Sequence, residues 1–217
     1  MAGSMSLADL AQDLRGSMHD SASLFDAEDD ADFKRLLLLA LPDMGWKRPT
    51  TRLGQVTLIA GEARYALSAY PDFANYKTHL WQEGPAYPRP WEPGYPGALP
   101  RVAALRDGVG GVGGVGGAAW LVFEPAPSAL HIAYRGSAFK FYYFAQHSLG
   151  VAAADTTVAA QDRGLLLLRA QAQAMLELVL HQSNKPVALR DGVSGTPRNS
   201  TPAALHEMLL RLFQEAR

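Results

Sequence analysis

Apolar residues recur at helical spacing in four stretches of the chain, with short strand-like runs between the second and third. In the first stretch Leu7, Leu10, Ala11, Leu14 and Met18 fall on one helix face, with Ser6 as N-cap and Gly16 weakening the end. The acidic residues Asp26, Glu28, Asp29, Asp30 and Asp32 then precede an apolar run over 33–41. Carboxylates there favour the positive end of a helix dipole, and Pro42 is expected to stop the helix. The third stretch, 162–181, is the most regular: Leu165, Leu168, Ala172, Met175, Leu176 and Val179 form one stripe, with Arg169, Gln173 and Glu177 off it. A polar connection over 184–199 leads to a last helix, capped by Ser200 or Thr201 and carrying Pro202 in its first turn. Its stripe is Leu205, Leu209, Leu212 and Phe213. The 162–181 stripe is expected to pack against Leu36, Leu37, Leu39 and Leu209.

From 49 to 143 the texture changes to glycine, proline, β-branched and aromatic residues, which predicts antiparallel β structure. Runs at 55–60 and 63–69 flank Gly61-Glu62 as a hairpin would, and 118–124, 129–135 and 139–145 are further predicted strands. Proline concentrates in 84–100, which reads as an irregular loop. The fold class is therefore α+β: a helical bundle formed by both chain ends, 5–48 and 147–217, carrying an inserted β-rich subdomain over 49–146. Residues 1–4, ahead of a second methionine at Met5, read as an appendage and are left out of this pattern.

Composition narrows the function. At 217 residues with 48% apolar content the chain can build a proper core. Twenty Lys plus Arg balance 21 Asp plus Glu, so no overall field holds a polyanion, although local basic patches remain open. Cysteine is absent, which removes disulfides, thiolate nucleophiles and cysteine-ligated metals. No apolar run approaches the roughly 18 residues of a membrane span, and no signal-peptide pattern is present.

Candidate chemistry is sparse. Gly108, Gly110 and Gly113 match G-x-G-x-x-G in form, but the run leads into a strand-like segment at 118–123 and not a helix, and no P-loop Lys follows. It reads as a loop between strands. His206-Glu207 begins a zinc-protease motif whose second histidine position holds Leu210. His19, His79, His131, His147 and His181 have no paired ligand spacing. Gly192-Val193-Ser194-Gly195 lacks the strand that leads into a nucleophile elbow. No catalytic residue, metal or cofactor is assigned. The loop residues Tyr87, Trp91 and Tyr95 are a candidate binding surface that could stack on sugars, unless they cover the β core instead.

Several phrases carry a family resemblance. The order 33–41, Trp46-Lys47-Arg48-Pro49 and Gln55-Val56-Thr57-Leu58-Ile59-Ala60-Gly61-Glu62-Ala63-Arg64-Tyr65 resembles the head-to-tail adaptor (connector) proteins of tailed bacteriophages. So do Phe123-Glu124-Pro125-Ala126-Pro127, the run 164–172, Lys185-Pro186-Val187-Ala188-Leu189-Arg190-Asp191-Gly192, and Arg198-Asn199-Ser200-Thr201-Pro202 before the terminal helix. The likeness runs from about Leu7 onward; the insertion at 108–117 departs from it.

The resemblance implies a structural virion protein of the neck, assembled in the host cytoplasm and not an enzyme. Such a protein docks on the portal protein, closes into a ring of about twelve copies, meets the next tail component and lets DNA pass through the channel, with no membrane partner. Within this chain the terminal helix, through Met208, Arg211 and Gln214, with Arg190 and Arg198 of the preceding loop, is the expected partner-binding element, because a chain end rearranges at little cost to the core. Two rivals are a β-type carbohydrate-binding module using Tyr87, Trp91 and Tyr95, and a tail-associated hydrolase.

Overall fold

The computed structural model describes residues 4–18, 25, 30–81, 87–106, 117–182 and 201–216. The chain divides into two compact units, one formed by Met1–Arg48 with His147–Arg217 and the other by Pro49–Gln146. Among the described residues five α-helices and two small antiparallel sheets make it an α+β protein with helical ends and an inserted β region.

The helical unit contains α1 (Leu7–Met18), α2 (Ala31–Lys47), α4 (Arg163–Gln182) and α5 (Pro202–Glu215). Helix α4 lies at its centre, with α1, α2 and α5 all packed against it. Leu10, Leu14, Phe33, Leu36, Leu37, Met44 and Leu166 are fully buried in the core. Two of the acidic residues make local ion pairs, Asp30 accepting from Arg15 at 3.0 Å and Asp32, in the first turn of α2, from Arg35 at 3.1 Å, while Asp26, Glu28 and Asp29 lie outside the described residues.

Pro42 does not stop α2, which continues to Lys47. Proline removes one helical hydrogen bond and crowds the preceding turn, but its side chain is on the exposed face, where the strained turn can bend outward. The buried face of α4 also differs from the expected stripe. Leu166, Ala170, Ala174 and Leu178 repeat at intervals of four in the core, while Leu165 and Leu168 are only partly buried beside it. Ala172 and Met175 are buried as expected, but Leu176 and Val179 are half-buried, and Leu39 of α2 is 48% exposed. Because α4 is covered by α1 and α2 and also by α5, small residues on several of its faces are buried, and no single stripe describes it.

The β unit holds two three-stranded sheets. In the first, β6 (Ala138–Ala145) lies between β1 (Thr50–Thr57) and β3 (Phe73–His79); in the second, β5 (Ala119–Glu124) lies between β2 (Arg64–Ala66) and β4 (Arg101–Arg106). Alternation along β6 buries Phe139, Phe141, Tyr143 and Ala145 against Leu121, Phe123 and Tyr65 of the second sheet. The hairpin expected over 55–69 does not form. Gly61 does turn the chain, with φ of 83°, but β1 pairs with β6 and β2 with β5.

Two tyrosine hydroxyls complete the β1 side. Tyr70 Oη accepts from the Gln55 amide at 2.7 Å and donates to the Gln55 carbonyl at 2.7 Å. Tyr65 Oη accepts from the Ile59 amide at 2.8 Å and lies 3.1 Å from the Ile59 and Glu62 carbonyls.

Residues 129–135, expected as a strand, form helix α3 (Ala129–Arg135). Ser128 accepts from the His131 amide while His131 Nδ1 accepts from the Ser128 amide, a reciprocal cap that closes the first turn. The glycine loop, apart from Gly117, and the connection 184–199 lie outside the described residues.

Candidate docking surfaces

Helix α2 carries an apolar stripe on its outward face. Leu38, Leu39, Pro42 and Trp46 follow one another at intervals of one, three and four, which places them on one side of the helix, opposite the buried Leu37, Ala40 and Met44. Trp46 is 84% exposed, an unusual placement for the largest apolar side chain. Ion pairs with α4 hold the helix in place: Arg35 makes two 2.7 Å bonds to the Glu177 carboxylate, and Arg169 Nε donates to Asp43. The Glu177 bond also pushes the Arg35 pKa up, as expected of a charge-assisted fork.

Helix α5 provides a second surface. Thr201 Oγ1 caps it by accepting from the Ala204 amide at 3.3 Å, and Pro202 occupies its first turn, where no amide is needed. Phe213 is buried, with Leu205 and Leu209 partly buried against the core. His206 Nδ1 lies 2.7 Å from the Ala172 carbonyl of α4, and Lys47 donates to the Gln214 carbonyl, satisfying an orphan acceptor at the end of α5. The other face presents Met208, Arg211, Leu212 and Gln214 as exposed side chains. Three of these are the residues expected to bind a partner. Leu212, assigned to the core stripe by spacing, is instead 47% exposed. Arg190 and Arg198 lie outside the described residues.

The cap gives a modest prediction: Thr201→Ala should destabilise the helical unit by about 1 kcal/mol, seen as a lower midpoint in urea unfolding, because it leaves the Ala204 amide without its side-chain acceptor. Thr201→Ser should restore most of that loss.

The loop aromatics are used unequally. Tyr87 Oη donates to the Gly97 carbonyl at 2.9 Å, its ring stacks on the buried His131 at 18°, and the Arg135 guanidinium lies 5.0 Å from it. Burial is the main cause raising the Tyr87 pKa, with Tyr95 adding to it. Tyr95 meets Tyr87 edge to face at 79°, while Trp91 is 74% exposed with Arg89 5.5 Å from its ring. Two of the three rings thus pack within the β unit, and Tyr87 and Tyr95 do not form one flat platform.

Sequence reasoning missed the α2 surface. Reading Pro42 as a stop placed Trp46 outside the helix; the signal that could have found it was the spacing of Leu39 and Trp46, seven residues apart across the proline. Comparison with known proteins returned no matching family model, curated protein or solved structure.

Proposed function

We propose that this chain is a head-to-tail adaptor of a tailed phage: a non-enzymatic virion protein that docks on the portal ring, joins copies of itself there, extends the DNA channel and connects to the next tail component. The observation that supports this reading best is the exposed stripe Leu38, Leu39, Pro42 and Trp46 on α2. Apolar side chains gathered on one rigid helix face are the anchors expected of a protein contact. The second exposed helix face, with Met208 and Arg211, adds a separate element for a neighbour. No helix among the described residues is long and apolar enough to cross a membrane.

Light scattering should find the isolated chain monomeric or weakly associated, with rings of about twelve copies forming only on added portal rings, by head-to-tail contacts. Trp46→Ser should abolish co-sedimentation with the portal, and Met208→Ser with Arg211→Glu should weaken it, without loss of helical circular dichroism. A stable closed ring without portal, or undiminished co-sedimentation of all these variants, overturns the proposal.

A further inference from the structure

The first sheet of the β unit has a second face that the core does not use. Since Phe139, Phe141 and Tyr143 point inward from β6, the alternate residues Lys140, Tyr142 and Phe144 stand on the opposite face. The register places Phe144 opposite Thr51 and Tyr142 opposite Leu53, and both β1 residues are exposed. Two aromatic rings therefore sit on the middle strand, two residues and roughly 6.7 Å apart along it. Lys140 stands on one side of the pair. Lys77, exposed on β3, places its Nζ 5.3 Å from the Phe144 ring centroid and donates to Thr51 Oγ1 at 3.2 Å.

The charge on this sheet is one-sided. Strands β1, β3 and β6 contain Arg52, Lys77 and Lys140 and no aspartate or glutamate, in a chain whose total charge is -1. Arg52 is paired with Asp72 at 2.7 Å, which leaves the two lysines as the cations beside the rings.

We infer that this face binds a short stretch of single-stranded nucleic acid, two bases stacking on Tyr142 and Phe144 while Lys77 and Lys140 meet the flanking phosphates. The pairing of features selects this ligand. A neutral sugar would use the rings but gain nothing from the two lysines, and a duplex would use the lysines but has its bases already stacked. Flat rings on a central strand beside cations accept any unpaired base, since each base presents a π face. Lys77 must rotate off the Phe144 ring to admit a base, and its flexible stem allows that. The inference is independent of the docking role.

The test is fluorescence anisotropy of labelled ten-residue oligothymidylate against the full chain, beside a ten-base-pair duplex. The expected result is saturable binding at about 10–100 µM in 50 mM salt, with a log–log salt slope of roughly -1.4 for two phosphates. The duplex should bind at least tenfold more weakly. Phe144→Leu and Tyr142→Leu should each cost roughly tenfold, while Tyr142→Phe should leave binding unchanged. Lys77→Gln with Lys140→Gln, at exposed sites that do not threaten folding, should flatten the salt slope. The inference is overturned by absence of saturation below about 1 mM, by duplex binding as tight as single-strand binding, or by unaltered affinity and slope in the lysine double variant.

Discussion

Replacing Phe141 by alanine is expected to lower the stability of the β unit by about 3–5 kcal/mol, read from urea unfolding followed by tyrosine and tryptophan fluorescence. Phe141 is fully buried on the central strand β6, between Phe139 and Tyr143, with ring centroids 6.2 and 5.9 Å away, and Tyr70 meets its ring at 5.6 Å. Its seat is Gly54, directly opposite on β1, where an added Cβ would stand 2.6 Å from Phe141 Cζ. That spacing gives the prediction a second arm. Gly54→Ala should itself cost about 1–3 kcal/mol, because a ring wedged between other rings cannot yield as a flexible chain end would. Combining Gly54→Ala with Phe141→Leu should cost less than the sum of the two, since the smaller side chain relieves the collision. A loss below about 0.5 kcal/mol for Phe141→Ala would show that this ring does not organise the core.

In the helical unit Leu166→Ala should cost about 2–5 kcal/mol, and Leu168→Ala clearly less. The two leucines are two residues apart, but Leu166 is fully buried in line with Ala170 and Ala174, while Leu168 is only partly buried beside that line. The small residues that follow Leu166 leave few large side chains on that line to fill a void, so truncation there removes contacts that nothing nearby replaces. Equal losses at both positions, or a greater loss at Leu168, would mean that α4 presents a different face to its neighbours.

The α+β class was legible because it rests on local periodicity. Apolar spacing located α1, α4 and α5, and Thr201-Pro202 marked the start of α5. What failed was pairing and context. The runs around Gly61 look like two halves of a hairpin, yet β1 finds its partner some 80 residues onward, information carried by the fit of Phe141 on Gly54 and not by the turn. Residues 129–135 alternate as well as they coil, and a seven-residue helix is too short for periodicity to decide; the evidence lay in Ser128 and His131, whose reciprocal bonds stabilise the first turn. Pro42 was over-read, because an interior proline costs a helix one hydrogen bond and crowds the preceding turn without having to end it. The exposed residues Met208, Arg211 and Gln214 were legible because they fall off the apolar stripe of α5. Trp46 was not, and neither was the pairing of Lys77 with Phe144, which depends on which strands lie side by side.

The hydroxyls of Tyr70 and Tyr65 have a consequence for behaviour in a crowd of identical molecules. A strand at the margin of a sheet is a template for any extended segment that drifts past, and the first growth step of a fibre needs a row of open amides and carbonyls. Tyr70 already holds both groups of Gln55, and just past the end of β1 the Tyr65 hydroxyl accepts from the Ile59 amide and shares its proton between the Ile59 and Glu62 carbonyls. An incoming strand would have to displace two aromatic side chains before it could form its own ladder there. The protection depends on single oxygen atoms and not on charge, so salt should leave it largely intact. Crowding many copies together then favours contacts between folded surfaces over the exchange of strands between them.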